Sequence, residues 1–275
     1  IGHVFISHLH GDHYLGFLGL ISTMHLLGRE AELHVHAPAD LREIVNIQLR
    51  ASRTYLRFPL HHHDLPADSG ATIMSDAQVE ATALRLEHRL PATGFLFREK
   101  PRLRSLRPDR VRDIPVRWRQ RVKEGHDLVN EDGARVPNEE LSTAPPPPRS
   151  YAYCSDTAFS PALVPFLRNV DLLYHEATFG EHLKARARET QHSTAREAAT
   201  IARDSGVKRL LLGHFSSRYK DPGLLLEEAR AVFPACELAE EGVGIAIVPP
   251  TPVDGPPDDP SHGYIWRSLE RFQRK

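Results

Sequence analysis

An α/β fold is predicted for this 275-residue chain by three observations. Apolar positions of period two alternate with apolar positions of period 3.6 along most of the length. Polar, chemistry-bearing residues fall at the ends of the strand-like runs, where a sheet rim usually carries function. No apolar run approaches the roughly 18–20 residues that span a bilayer. At 40% hydrophobic and 26% charged residues the composition is that of an ordinary globular protein, able to bury one large core or two small ones.

Val4-Phe5-Ile6 predicts a strand that ends at His8 and delivers His8 to His13 into one loop. Residues 14–27 (Leu15, Leu18, Ile21, Met24, Leu27) and 40–50 (Leu41, Ile44, Val45) have helical spacing, and Glu32 to His36 between them is strand-like. Residues 79–87 and 93–98 are paired strands joined by a turn at Pro91. Glu131-Asp132-Gly133 is a turn, and Pro145 to Pro148 a stiff extended link. Tyr151 to Ser155 and Val170 to His175 are strands. Thr194 with Glu197 three residues later signals a helix start; Ala195, Ala198, Ala199 and Ala202 give its apolar face, and Gly206 ends it. Val207 to Gly213 is a strand, 222–233 a helix and Val243 to Val248 the last strand. Residues 249–275 form a Pro-rich tail in which Ile265, Trp266, Leu269 and Phe272 could make a short amphipathic turn. The chain opens without Met inside a strand-like run, which is read as a fragment that lacks N-terminal strands.

The chemistry is concentrated in His8-Leu9-His10-Gly11-Asp12-His13. Alternation sends His8 and His10 to one side, and a turn at Gly11 swings Asp12 and His13 to the other. Two ligand pairs pointing apart suit two adjacent metal ions. With His88, Asp156 and His214 the set reaches seven ligands: His8, His10 and His88 on one ion, Asp12, His13 and His214 on the other, Asp156 bridging. Imidazole and carboxylate donors fit Zn²⁺ and accept Mn²⁺, and a dinuclear site clamps an in-line displacement at phosphorus. Three consecutive side chains cannot all face one ion, so His61, His62 and His63 are read as a surface run, as are His25, His34, His36 and His126. The two cysteines, Cys154 and Cys236, are read as buried residues in a reducing, cytoplasmic setting.

Net charge is only −1 but it is segregated. Eleven basic residues from Arg98 to Lys123 face only Glu99, Asp109 and Asp113, so that segment carries +8 against −9 for the remainder.

Together these motifs resemble ribonuclease Z, the tRNA 3′-processing endonuclease family of the metallo-β-lactamase superfamily. HxHxDH implies the superfamily. His88-Arg89-Leu90-Pro91-Ala92-Thr93-Gly94-Phe95, Ser155-Asp156-Thr157, His175-Glu176-Ala177-Thr178, His192-Ser193-Thr194 and Gly213-His214-Phe215-Ser216-Ser217-Arg218-Tyr219, in this order, resemble the family. The resemblance implies a four-layer αββα metallo-β-lactamase domain over 1–248, two Zn²⁺ ions, precursor tRNA as partner, no membrane, and a homodimer. It implies that Asp12 orients the attacking hydroxide and that His192, held by Glu176, protonates the leaving 3′-oxygen. The products would be a tRNA 3′-hydroxyl and a trailer 5′-phosphate. The basic segment, residues 99–125, lies where the family inserts a tRNA-gripping arm, which implies RNA contacts from Arg102, Arg104, Arg107, Arg117, Arg119, Arg121 and Lys123, with Trp118 stacking. Ser193 and Thr194, at a helix N-terminus, and Arg218 are further candidates for phosphate. The family's Gly-Pro element is absent from the arm, where Ile114-Pro115-Val116 stands nearby, and Cys154 occupies a position where Gly is common.

Other readings make different demands. A metallo-β-lactamase thioesterase or small phosphodiesterase needs neither the basic arm nor Glu176 with His192. The long-insert RNA nucleases need a large domain after Asp156, yet only 57 residues separate Asp156 from His214. A non-catalytic RNA-binding module predicts degraded ligand motifs, and all seven are present.

Overall fold

The computed structural model describes residues 1–129 and 133–247. Strand β1 (His3–Phe5), helix α1 (Gly11–Leu26), strand β2 (Leu33–Ala37), helix α2 (Leu41–Ala51) and strand β3 (Leu60–Asp64) follow one another, and the three strands form a parallel sheet in the order β1-β2-β3. Its outer face packs on the helices through Phe17, Ile21, Leu33, Val35, Leu41 and Val45, all buried. The sheet is held together by long-range pairing, since α1 and α2 bring each strand back parallel to the last.

Strands β4 (Thr72–Ser75), β5 (Val79–Leu86) and β6 (Ala92–Glu99) open the second sheet as an antiparallel meander. The chain then leaves it and returns as β11 (Ser150–Cys154), β12 (Leu172–Glu176), β13 (Arg209–Gly213) and β14 (Cys236–Leu238), four parallel strands that complete the order β14-β13-β12-β11-β6-β5-β4. Helices α5 (Lys184–Thr190), α6 (Ala195–Ser205) and α7 (Gly223–Arg230) belong to this half. Ala195, Ala198, Ala199, Ile201 and Ala202 of α6 pack with Ala152, Leu173, Leu210 and Leu212 of the sheet. The small alanines let the helix lie close to the strands. Phe5 meets Phe95 and Phe97 across the two sheets, with ring centroids 5.3 and 5.0 Å apart. The layers are therefore helix, sheet, sheet, helix: the αββα sandwich of the metallo-β-lactamase fold.

Between β6 and β11 the chain makes a small unit of its own. Strand β7 (Ser105–Leu106), helix α3 (Val116–Lys123), the hairpin β8 (Leu128–Val129) and β9 (Arg135–Val136), helix α4 (Asn138–Leu141) and strand β10 (Ser142–Thr143) close when β10 pairs with β7. Ile114, Val122, Leu128 and Leu141 form its core, with Trp118 packed against them. The excursion runs from 100 to 149, wider than the basic segment 99–125 that composition marks. Arg149 closes its base by a forked ion pair to Glu99, one arm of which is Nε to Oε2 at 3.0 Å.

The structure departs from the sequence expectations in several places. Helix α1 begins at Gly11, so Asp12 and His13 occupy its first turn and not a loop. The last described strand is Cys236–Leu238; residues 243–247 are not a strand, because β13 takes its outer partner directly after α7. Strands β3 and β4 were not expected: His61-His62-His63 and Thr72–Ser75 lack apolar alternation, and pairing with β2 and β5 is what makes them strands. Residues Glu131 and Asp132 of the expected turn, Val248, and the tail with Ile265, Trp266, Leu269 and Phe272 lie outside the described residues.

The Arg149 guanidinium holds the Glu99 carboxyl at about 2, far below its ordinary value. A carboxylate with a lowered folded-state pKa stabilises the fold fully above its unfolded value of ~4.3 and loses that contribution as pH falls through about 2. Glu99→Gln is therefore expected to destabilise the protein at pH 6, and the difference from wild type should vanish near pH 2 in urea melts run at both values.

Candidate metal centre

The rim formed by the carboxyl ends of the parallel strands collects the polar residues, the position where α/β sheets place their sites. Ser7 to His13 follow β1, His88 follows β5, Asp156 follows β11, Glu176 ends β12 and His214 follows β13. Asp156 and His214 both have φ of 56°, in the left-handed region. A non-glycine residue there costs of order 1–3 kcal/mol. The sharp turn it makes lets each strand end abruptly and aim its next side chain at the centre.

Four donors meet on one side: His8, His10, His88 and Asp156. His8 Nε2 lies 3.0 Å from His10 Nδ1, and His88 Nε2 lies 3.3 Å from the same atom. Asp12, His13 and His214 meet on the other side. Asp156 spans the two, with Oδ2 3.6 Å from His8 Nε2 and Oδ1 3.3 Å from both His13 Nε2 and His214 Nε2. The structure thus brings all seven expected ligands together, in two groups that share Asp156.

The donor set fits a pair of divalent ions. His88 donates its Nδ1–H to the Gln191 carbonyl at 3.1 Å, and His214 donates its Nδ1–H to Thr178 Oγ1 at 2.9 Å. Both rings therefore present Nε2 with its lone pair inward, the tautomer that a metal requires. Burial and the charge of His13 push His8 down to about 4, so it too is neutral at physiological pH. Burial works against the Asp156 charge, but His214, His13 and a hydrogen bond from Ser155 outweigh it and keep its pKa low.

Beside the cluster lies a second device. The Glu176 carboxylate is fully buried and accepts from four donors: the Thr157 backbone N–H at 2.6 Å, Thr178 Oγ1, the Ser193 backbone N–H at 3.1 Å and His192 Nδ1 at 2.9 Å. Burial disfavours the charged imidazolium of His192, yet the hydrogen bond and charge of Glu176 more than offset it and raise the pKa above 6.5. The ring stacks on His214 with centroids 5.3 Å apart. His175, next in line, is wholly buried, donates Nδ1–H to the Glu176 carbonyl and is held neutral by burial. Thr178 is the residue that sequence reasoning left without a role, although it stands in the quoted His175-Glu176-Ala177-Thr178 motif; it joins Glu176 to His214.

Several expected RNA contacts are placed otherwise. Ser193 and Thr194 are fully buried, and their backbone N–H groups go to Glu176 and Glu197, so neither greets a phosphate. Arg104 donates to Ser142, and Arg119 to the carbonyls of Ile114 and Val111, inside the arm. Trp118 is partly buried, with Arg121 5.1 Å over its ring. Arg102, Arg117 and Arg121 are exposed, and Arg107 and Lys123 half-buried. Arg218 lies 5.4 Å over the Phe179 ring.

Comparison with known proteins gives a consistent picture. A model of the beta-lactamase superfamily domain matches residues 1–105. Over 249 residues the chain is 46% identical to ribonuclease Z of Bacteroides fragilis, covering 90% of this chain and 82% of that protein. It is 47% identical over 247 residues to ribonuclease Z of Porphyromonas gingivalis, covering 89% and 81%. Among solved structures, the short form of human tRNase Z superposes with a TM-score of 0.61 at 26% identity, covering 90% of this chain and 80% of that one.

Thr178→Val keeps the volume while removing the acceptor for His214 and a donor to Glu176. Loss of such an outer hydrogen bond typically costs 10–100-fold in metal affinity, and chelator competition should show a loss in that range with the fold intact by circular dichroism.

Proposed function

The chain belongs to the ribonuclease Z family, metal-dependent endoribonucleases that process the 3′ end of tRNA, and from that premise we propose how its own residues divide the work. His8, His10 and His88 would hold one Zn²⁺ and Asp12, His13 and His214 the other, with Asp156 within reach of both groups. When bound, the two ions supply Lewis-acid activation of water and neutralise charge at the scissile phosphate.

The observation that carries the reading is the buried Glu176–His192 pair at the edge of that cluster. His192 lies within ligand reach of Asp156 and His214, but its Nδ1–H is committed to Glu176. Its Nε2 is the atom left to face a substrate. A raised pKa keeps a proton there near neutrality, which suits a general acid. Water attacks the phosphorus that follows the discriminator nucleotide, with Asp12 accepting a hydrogen bond that orients it, and the proton that the water loses passes to solvent. The bond from phosphorus to the 3′-oxygen breaks, and that oxygen takes its proton from His192. The tRNA leaves with a 3′-hydroxyl and the trailer with a 5′-phosphate. Glu176 positions the ring and stabilises the imidazolium.

Substrate choice rests on the arm. Most of the +8 segment from Arg98 to Lys123 lies in a folded unit with its own small core, so its cations are presented on a fixed surface to a phosphate backbone. Arg102, Arg107, Arg117, Arg121 and Lys123 are the residues assigned to it. A cytoplasmic location and a homodimer complete the reading; no helix among the described residues is long and apolar enough to cross a membrane.

The direct test is cleavage of a labelled tRNA precursor with a 3′ trailer, mapping both new ends. One cut after the discriminator, lost in Asp156→Ala, is the expected result. His192→Ala should retain bound metal and lose roughly 10²–10⁴-fold in kcat; an unchanged rate would remove it as the acid. Excision of residues 100–149 with a short linker should weaken precursor binding and flatten its dependence on salt, while hydrolysis of a small phosphodiester persists.

A further inference from the structure

The face of the first sheet that carries Phe5 toward the second sheet also carries five histidines. Strand register sets His3, His34 and His61 in one cross-strand row and Phe5, His36 and His63 in the next, and strand alternation puts all six on the same side. His34, His36, His61 and His63, expected at the surface, are thus neighbours, and His36 is buried instead, only 2% exposed, because the pairing of β1 and β3 on either side of β2 covers it. The sequence hides this because the array exists only once three parallel strands are in register.

Two diagonal pairs bring ring nitrogens together. His3 Nδ1 lies 3.1 Å from His36 Nε2, and His34 Nδ1 lies 2.9 Å from His63 Nε2. These separations match those of 3.0 and 3.3 Å among the ligands of the Asp156 cluster. A metal ion bonded at about 2.0–2.1 Å to two imidazoles sets them roughly 2.9 Å apart at a right angle and 3.3 Å apart at the tetrahedral angle. Within the array His36 Nδ1 is buried without a hydrogen-bond partner. Burial and neighbouring imidazoles keep His36, His63 and His3 below the usual histidine range, so their lone pairs are available at neutral pH. On the exposed rim Glu32 adds an anionic donor, its carboxylate 3.4 Å from His34 Nε2 and 3.3 Å from His61 Nε2.

We propose that this histidine face is a second transition-metal site, separate from the Asp156 cluster, which takes one divalent ion on the His34–His63 edge. Among the described residues no three of its donor atoms lie within 4.8 Å of one another, so water completes the coordination. A two-imidazole edge open to water suits Cu²⁺ and Ni²⁺, the ions that bind nitrogen donors most tightly in the divalent series. His63 is exposed, which gives the ion a route in, whereas the His3–His36 pair is closed off by His36.

The test starts from the whole chain with its catalytic centre loaded with Zn²⁺, to which Cu²⁺ is added while released Zn²⁺ is measured. The expected result is one further equivalent of Cu²⁺ bound without Zn²⁺ release, with nitrogen hyperfine structure from imidazole in its paramagnetic resonance spectrum. Affinity should fall at least tenfold in His34→Gln and in His63→Gln and stay unchanged in His62→Gln, whose side chain points to the opposite face. Precursor cleavage should persist in all three. The proposal is overturned if Cu²⁺ binds only by displacing Zn²⁺, if no further equivalent binds, or if the two variants bind as the wild type does. The wild-type titration decides even where a variant fails to fold.

Discussion

Everything at the rim depends on one buried carboxylate. Taking the Glu176 charge out of water is tolerable only because four donors converge on it. Those donors come from three separate stretches of chain: the loop after β11, the residues after β12 and the loop between α5 and α6. Satisfying the carboxylate therefore fixes the relative position of all three. Through Thr178 the same network reaches His214 and sets its tautomer. The arrangement of ligands is in this sense a consequence of solvating one anion with protein.

Backbone strain is spent at the same place. The left-handed turns at Asp156 and His214 cost stability, yet a residue that continued the strand would point its side chain out of one face of the sheet and miss the centre. Gly213, just before His214, is a related constraint: a Cβ there would collide with the Tyr174 ring. The seven-stranded sheet, packed on α6 by alanines, is stiff enough to hold these turns, and the Asp156 carboxylate can then offer one oxygen to each ligand group.

The arm follows different physics. Its charge is large, but several of its arginines are committed to closing the unit: Arg104 to Ser142, Arg119 to two carbonyls, Arg149 to Glu99. Trp118 lies over the little core instead of standing free. The unit therefore presents its remaining cations on a rigid surface. The resemblance assigned Arg104 and Arg119 to RNA with the other arginines, and composition placed the boundary at 125, because the returning half, from 126 to 149, is net acidic, with five acidic residues against Arg135 and Arg149, and has only short strands.

The sequence by itself determined which residues gather at the rim. HxHxDH, the capping box at Thr194 and most strands of the second sheet were legible as local patterns, His88, Asp156 and His214 as polar residues at strand ends, and the Glu176–His192 pair only through the resemblance to the ribonuclease Z family. Tertiary structure alone decided how they share their work. That Asp156 gives one oxygen to each group, that Thr178 links the acid pair to a ligand, and that Ser193 and Thr194 are buried all depend on strands brought side by side from distant parts of the chain. The histidine face is the plainest case: three histidine-bearing stretches separated by about 30 residues each look unremarkable in line, and only parallel register stacks them into one surface.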